Sequence, residues 1–294
     1  FYDTSLWKTL IPLGLSAIMM GLGCASKWTG VYAAAGLGVF FFAIMIRRYR
    51  EYCYAKSNIS GSTEGISHAD MVDGYAKNMI VTLVFCVLFF VVIAGGIYLM
   101  SYIPFVNVKG MSLWERMIQN QKDMFQYHST LVATHPYSSR WYEWPFMFRP
   151  VFYYCQTLAN GLKEGISAFG NPLVWWMGVP AFIYMVIRLV EKKDGKAGFL
   201  VFAYLVQYVP WIRVERCTFA YHYFPSVPFV TLMIVYAMVC LVEKDKKWLK
   251  WCIVYAACAF ALFALFYPVL SGYPVTESFV RDGLRWLSGW VLIY

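Results

Sequence analysis

Seven apolar runs, separated by charged or aromatic stretches, make up most of this chain. They lie approximately at 9–26, 30–46, 78–102, 172–190, 198–212, 221–242 and 249–270. A helix needs about 20 mostly apolar residues to cross a bilayer, and its backbone must satisfy its own hydrogen bonds there. The pattern therefore predicts an all-α integral membrane protein, a multispanning helical bundle with about seven transmembrane helices.

Basic residues beside the runs predict which ends of the helices share a side. By the positive-inside rule, loops rich in Lys and Arg are cytoplasmic. Such loops follow the second, fourth and sixth runs, with Arg47, Arg48, Arg50 and Lys56, then Arg188, Lys192, Lys193 and Lys196, then Lys244, Lys246, Lys247 and Lys250. The opposite, extracytoplasmic face then receives the turn at Lys27, the segment 103–171, the loop 213–220 and the tail after 270.

These runs and loops predict three regions. Residues 1–102 are the end of an N-terminal transmembrane region, with a mobile cytoplasmic connector at 47–77. Residues 103–171 are an extracytoplasmic loop in which Trp114 to Tyr127 form an amphipathic helix in the interface plane. Residues 172–294 are a C-terminal four-helix transmembrane region with an outer tail, in which Glu277, Arg281, Asp282 and Arg285 form a solvated helix face.

Composition supports the membrane interpretation. Of the 294 residues, 60% are hydrophobic and 14% are charged, whereas soluble domains carry about 25% charged residues. The net charge of +9 lies mostly in short loops beside apolar runs, which indicates topology rather than nucleic-acid binding. The eight cysteines form no CxxC pair, and no metal cluster is apparent.

Two polar or aromatic clusters lie on the predicted outer face. Arg213-Val214-Glu215-Arg216 is followed by Tyr221-His222-Tyr223, and the stretch from His135 to Pro150 is dense in Trp, Tyr, Arg and Pro. A charged side chain within a bilayer costs about 2.5–3.5 kcal/mol at the helix centre, and less near the interface. Charges are therefore retained where they face a cavity, a headgroup or a ligand, and these clusters indicate a charged ligand at the membrane surface.

Three stretches together resemble the protein O-mannosyltransferases of the GT-C architecture. They are Gly23 to Gly30 (GCASKWTG), His135 to Pro150, and Tyr221 to Pro228 (YHYFPSVP). The resemblance implies transfer of mannose from a polyprenyl-phosphate-mannose lipid to Ser or Thr hydroxyls of an acceptor protein, with inversion at the sugar carbon and no cofactor. The short segment 103–171 is similar to bacterial members, so the resemblance implies a bacterial plasma membrane with an extracytoplasmic active face.

The resemblance also suggests roles for residues in these stretches. Cations and a histidine are candidates for the donor phosphate: Lys27, Arg213, Arg216 and His222. Aromatic and polar residues are candidates for the sugar or the acceptor: His135, Tyr137, Trp141, Trp144, Arg149, Tyr221 and Tyr223. The alternatives are a snorkelling lysine, arginines at lipid headgroups, a histidine satisfied inside the bundle, and aromatic residues that pack the loop or form a membrane belt. We expect Lys27, Arg213 and His222 to converge on one outer cavity.

The family's catalytic carboxylate has no counterpart in the quoted stretches. We expect this general base upstream of Phe1, in a longer protein, because the first outer loop of the family precedes everything present here. Asp3 is a poor substitute, since the topology places it on the cytoplasmic side. The chain alone is therefore expected to lack transfer activity.

Two other functions are compatible with the pattern. One is a GT-C transferase for another polyprenyl-phosphate sugar, for example aminoarabinose transfer to lipid A. The other is a transporter or lipid-binding membrane protein, which is less favoured because the charges cluster at one interface and no inverted repeat is evident.

Overall fold

The computed structural model describes residues 5–63, 65–105 and 110–293, which form two compact units. The first unit ends at Thr130 and the second begins at Leu131. Asp3, considered above as a substitute base, lies outside the described residues.

The first unit is built from long apolar helices. It contains α1 (Leu6–Ser26), α2 (Gly30–Ser57), α3 (His68–Cys86) and α4 (Ala94–Met100), with a π-helical stretch at Val87–Ile93 joining the last two. Helix α1 packs against α4 and α2 packs against α3. Gly14 and Gly21 allow the neighbouring helical segments to approach α1 closely. A Cβ at Gly21, for example, would lie 3.0 Å from the Cα of Ala94 on α4.

The connector predicted at 47–77 is mostly helical, and its mobility and cytoplasmic side stay predictions. Helix α2 continues to Ser57 and α3 begins at His68, which leaves only a short hairpin of β1 (Ser62–Thr63) and β2 (Ile66–Ser67) between them. The buried His68 stabilises this turn. Its ring nitrogens form hydrogen bonds with the hydroxyl of Thr63 at 2.7 Å and the carbonyl of Asn58 at 2.6 Å. Polar residues continue these helices beyond their apolar runs, which is why hydropathy ended α2 too early and began α3 too late.

The amphipathic stretch predicted at 114–127 is helical, as α5 (Leu113–Thr130), and its position in the interface plane stays a prediction. Its start is capped because Glu115 Oε2 accepts the backbone N–H of Ser112 at 3.0 Å. Hydrogen bonds from Ser112 hold the pKa of Glu115 below its usual range. Gln121 Nε2 donates to the hydroxyls of Tyr98 at 2.6 Å and Tyr102 at 2.8 Å, which fixes α5 to the end of α4.

The second unit is an up-and-down bundle of four helices. These are α6 (Pro172–Lys192), α7 (Gly195–Tyr208), α8 (Val227–Lys244) and α9 (Trp248–Ser271). Helix α6 packs against both α7 and α8. Short 3₁₀ segments at Val209–Arg213 and Ala220–Ser226 connect α7 to α8.

Six helical segments among the described residues are long and apolar enough to cross a membrane. They are Leu6–Ser26, Gly30–Ser57, His68–Phe105, Pro172–Lys192, Ala220–Lys244 and Trp248–Ser271. The predicted span at 198–212 corresponds to α7, which has 14 residues before the 3₁₀ segment that begins at Val209. The helical membrane architecture is confirmed, and α7 accounts for the difference between six and about seven spans.

The second unit also contains a hairpin that an all-α interpretation missed. Strands β3 (Val151–Thr157) and β4 (Lys163–Ala168) pair antiparallel, within the segment predicted to hold only an interfacial helix. The turn is closed by the N–H of Leu158 donating to Leu162 at 2.8 Å, and Gly161 adopts a φ of 79°. Asn160-Gly161 is a strong hairpin signal, so this turn was detectable in the sequence.

The charged residues predicted to form a solvated face of the tail are exposed, and the apolar residues of the tail pack onto this hairpin. Val280, Leu284, Trp290 and Leu292 are all buried, and Ser167 Oγ donates to the carbonyl of Leu292 at 3.2 Å. At the rim, Lys163 Nζ lies 2.7 Å from Glu277 Oε2, and this hydrogen bond lowers the pKa of Glu277. The tail therefore has a charged outer face and an apolar inner face.

Gly170 makes room for a buried indole, and we expect Gly170→Ala to destabilise the second unit. A Cβ at this position would lie 1.8 Å from Trp175 Nε1, and Trp175 is 2% exposed, so its ring would have to move. Overpacking of this kind typically costs about 1–3 kcal/mol. Thermal unfolding in detergent measures it, with Gly283→Ala as the control because a Cβ there meets nothing within 4 Å. Equal stability of the two variants would contradict the packing described.

Candidate functional site

Two loops that are distant in sequence meet in the second unit. The backbone N–H of Ser139 donates to the carbonyl of Thr218 at 2.9 Å, and Thr218 Oγ1 donates to the carbonyl of Ser139 at 2.7 Å. Both residues are buried. This reciprocal pair joins the stretch before β3 to the loop between α7 and α8.

Further bonds fix the shape of the stretch before β3. Arg149 Nη1 donates to the carbonyl of Pro136 at 3.0 Å, which closes a loop of thirteen positions. A 3₁₀ segment, Trp141–Phe146, begins where Glu143 Oε2 accepts the backbone N–H of Arg140 at 2.6 Å. It ends at Met147 with a left-handed φ of 57°. The backbone is therefore held by specific bonds although it contains little regular structure.

An open cleft of about 640 Å³ lies between the two loops. Residues 133–149 provide one wall and residues 212–218 provide the other. Both walls contribute polar and apolar side chains. The polar lining residues are His135, Ser138, Arg140, Glu143, Arg149, Glu215, Arg216 and Thr218, and the apolar ones are Ala133, Trp141, Ile212 and Val214. The size is in the range of sites for small organic ligands.

The cleft carries both signs of charge with a positive excess. Three arginines face two glutamates, which leaves a formal charge of +1 with His135 neutral. Glu143 already accepts a backbone hydrogen bond, whereas the arginines supply planar groups of several donors each. Arginine donors suit phosphate, and hydroxyl and backbone groups beside the half-buried Trp141 suit a sugar.

Four of the predicted binding residues line this cleft: His135, Trp141, Arg149 and Arg216. The hydroxyl of Tyr208 donates to the carbonyl of Trp141 at 2.7 Å, and the two rings meet edge to face. The ring of His135 lies 5.1 Å from that of Phe219, across the junction of the two loops. The sequence stretches that suggested a charged ligand therefore do come together.

Three other predicted binding residues are buried and do not line the cleft. Trp144, His222 and Tyr223 are 1%, 4% and 2% exposed. The imidazole of His222 lies 6.0 Å from the Trp144 ring, and the Tyr223 hydroxyl is 3.1 Å from that of Tyr204. These three side chains contribute packing that supports the loops of the cleft, and their direct contact with a phosphate or sugar stays a prediction.

The remaining predicted residues lie outside the cleft wall. Arg213 is exposed at the end of its 3₁₀ segment, one residue before the cleft lining begins again at Val214. Tyr137 packs between His135 and Phe152, and the ring of Tyr221 stacks on Phe219. Lys27 is exposed at the end of α1 in the first unit, so its convergence with Arg213 and His222 stays a prediction.

Arg140, Glu143 and Glu215 line the cleft but were not among the predicted binding residues. All three lie inside the stretches that were singled out, and Glu143 and Glu215 are its two carboxylates. Their proximity to one another depends on the Ser139–Thr218 junction, for which the sequence carries no short-range signal. Among the described residues, no group of three or more His, Cys, Asp or Glu side chains is placed to hold a metal ion.

Helices long and apolar enough to cross a membrane, with a polar, arginine-lined cleft at one end of a four-helix bundle, define an integral membrane protein with a candidate binding site. The family model for the C-terminal four TMM region of protein-O-mannosyltransferase matches residues 113–290, which is more than half of the chain. The chain therefore belongs to the protein O-mannosyltransferase family.

Comparisons with individual proteins agree with this membership. A polyprenol-phosphate-mannose–protein mannosyltransferase from Mycolicibacterium smegmatis is 23% identical over 94% of this chain and 57% of its own length. The protein of the same name from Mycobacterium tuberculosis is 24% identical over 94% of this chain and 56% of its own length. Dolichyl-phosphate-mannose–protein mannosyltransferase 1 from Saccharomyces cerevisiae is 28% identical over 63% of this chain and 25% of its own length.

A solved structure supports the GT-C architecture. The S. cerevisiae protein O-mannosyltransferase complex bound to the sugar donor superposes with a TM-score of 0.53 and 26% identity, over 62% of this chain and 27% of that one. The chain spans little more than half the length of the bacterial relatives described above.

Proposed function

We propose that the protein transfers mannose from a polyprenyl-phosphate-mannose lipid to Ser or Thr hydroxyls of acceptor proteins. The observation that carries this proposal is the cleft, in which two separated segments of a protein O-mannosyltransferase chain place three arginines beside His135 and Trp141. The names of the relatives support the choice of donor and acceptor. A mannosyl transfer is favoured over transfer of aminoarabinose because these relatives are named mannosyltransferases.

Within the cleft, we assign the phosphate to the wall formed by the loop between α7 and α8. Arg216 is half-buried there and offers several donors, of which Nη1 bonds the carbonyl of Cys217 at 3.2 Å. The opposite wall, with His135 and Trp141, would receive the sugar and the acceptor side chain. Lys27 and Arg213 remain candidates for the same phosphate.

The reaction then proceeds by displacement at the anomeric carbon. The acceptor oxygen forms a bond to that carbon while the bond to the phosphate oxygen breaks, and polyprenyl phosphate leaves with the electron pair. Arginine donors stabilise the charge that develops on this leaving group. A carboxylate takes the proton from the acceptor hydroxyl. We do not assign this base to Glu143, because its carboxylate is engaged in capping the segment that shapes the cleft.

A transfer assay tests the proposed function. Membrane vesicles that contain the protein at its natural length are supplied with radiolabelled polyprenyl-phosphate-mannose and a Ser/Thr-rich peptide. We expect label on the peptide and release of polyprenyl phosphate. Label on lipid A with an aminoarabinose donor, and none on the peptide with the mannose donor, would contradict the proposal.

We also propose that the cleft faces the outside of a bacterial plasma membrane. The basic loops after α2, α6 and α8 support this orientation, because they would then be cytoplasmic. Two natural cysteines can be labelled to test this orientation. Cys217 lines the cleft, and Cys53 is exposed near the end of α2. In intact cells, a membrane-impermeant thiol reagent should modify Cys217 and spare Cys53 until the cells are opened. The reverse pattern would contradict the orientation.

A further inference from the structure

A second cavity lies at the end of the four-helix bundle that is remote from the cleft. It is an apolar groove of about 440 Å³ between α7 and α8. Phe199 and Leu200 on α7 line one side, and Leu232, Val235 and Val239 on α8 line the other. The groove begins at the first turn of α7. The 14 residues of α7 and the 5 residues of its 3₁₀ extension put about 31 Å between this turn and the cleft loop.

The groove opens beside a concentration of lysines. Lys196 lines its rim, and Lys192, Lys193, Lys244 and Lys246 belong to the two turns at the same end of the bundle. In the part of the chain that the structure describes, none of these five forms an ion pair. The unpaired carboxylates nearby are Glu191 and Glu243, so five lysines against two glutamates leave a charge of +3.

The polar end of the groove is rigid. Asp194 caps α7 through the backbone N–H groups of Lys196 and Ala197, and it accepts a hydrogen bond from the hydroxyl of Tyr236 at 2.8 Å. Because Tyr236 is itself part of the groove lining, these bonds connect the first turn of α7 to α8 directly. The Lys196 side chain is exposed above this junction.

We propose that this groove binds an anionic phospholipid, with one acyl chain between α7 and α8 and the headgroup phosphate at Lys196. Helices that cross a membrane have lipid as their default neighbour. The apolar lining of the groove suits an acyl chain, and its cationic rim suits the anionic headgroup. The proposal stands independently of the mannosyl transfer, because it uses none of the cleft residues.

Native mass spectrometry of the purified protein in a neutral detergent tests this site. Dioleoyl phosphatidylglycerol should bind more tightly than dioleoyl phosphatidylcholine. Lys196→Gln should weaken phosphatidylglycerol binding about fivefold, as expected for one lysine near an anionic lipid. Lys250→Gln is the matched control, since Lys250 lies on α9 at the same end but does not line the groove. Equal weakening by both variants would show diffuse attraction and overturn the site.

A second pair of variants tests the acyl-chain part. Val235→Trp should fill the groove and abolish tight phosphatidylglycerol binding, whereas Val254→Trp on α9 should not. The two valines are 48% and 47% exposed, so the added surface is comparable, and thermal unfolding verifies that both variants fold. Unchanged lipid binding in Val235→Trp would overturn the proposal. If that variant also lost an oligomeric form, the groove would belong to a second copy of the chain.

Discussion

Replacing Asp194 by alanine is expected to lower the free energy of unfolding by about 3–5 kcal/mol. Asp194 Oδ2 lies 2.7 Å from Arg188 Nε and 2.6 Å from Arg188 Nη2, and the side chains are 10% and 18% exposed. The substitution would leave the Arg188 charge without its partner, remove the cap of α7, and release the hydroxyl of Tyr236 on α8. Three helices of the bundle lose a common junction, which is why the effect is large.

The control for this prediction is Asp245→Ala. Asp245 pairs with Lys247 at 2.7 Å in the turn between α8 and α9, but the side chains are 43% and 68% exposed. Exposed pairs contribute about 0–1 kcal/mol. Thermal and denaturant unfolding in detergent should therefore separate the two variants clearly. Similar stability of both would show that the Arg188–Asp194–Tyr236 junction does not hold the bundle.

The same junction predicts a dependence of stability on pH. Burial opposes ionisation of Asp194, but hydrogen bonds from Arg188, the backbone N–H of Ala197 and Tyr236 outweigh it and lower the pKa to about 2. A depressed carboxyl pKa contributes stability that is fully present above the unfolded value of about 3.9 and is lost as the pH falls toward the folded value. The difference in stability between the wild type and Asp194→Asn should therefore shrink between about pH 4 and pH 2.

Replacing Arg216 by glutamine is expected to lower the transfer rate by about 10²–10³-fold. Arg216 is the cleft arginine on the wall assigned to the donor phosphate, and the negative charge of the leaving group develops during the reaction. Loss of a hydrogen-bond donor at this position raises the activation free energy of transfer more than it weakens binding of the intact lipid. We therefore expect kcat to fall and KM to change little. The assay is mannose transfer to a Ser/Thr-rich peptide by the protein at its natural length.

Two further variants make this test specific. Arg216→Lys keeps the charge but loses the planar donors, so it should recover only part of the rate. Arg281→Gln is the control, because Arg281 is an exposed arginine of the tail paired with Asp282. Full activity in Arg216→Gln, with normal thermal stability, would show that the donor phosphate does not bind at this wall of the cleft.

Most of the fold was predictable because membrane helices are encoded by local composition. The runs at 9–26, 172–190 and 249–270 correspond to α1, α6 and α9 within a few residues. What hydropathy did not predict depends on other interactions. The polar ends of α2 and α3 extend past their apolar runs, and the hairpin of β3 and β4 is stabilised partly by the tail packed on it.

The candidate site was predictable in its segments but not in its individual contacts. Both walls of the cleft lie in stretches singled out by their charge and aromatic content. Burial could not be predicted: His222 is a candidate for the donor phosphate, and its aromatic neighbours enclose it in the structure. Conversely, Arg140 reaches the cleft only because Ser139 pairs with Thr218, 79 positions away in the chain.

The central claim is that the cleft between residues 133–149 and 212–218 binds the sugar donor, and Cys217 offers the most direct measurement. Cys217 lines the cleft and is partly exposed, so its alkylation rate reports whether the cleft is occupied. Polyprenyl-phosphate-mannose should slow alkylation of Cys217 in a saturable manner and leave that of the exposed Cys53 unchanged. An unchanged rate at Cys217, at donor concentrations that saturate mannose transfer, would contradict the account.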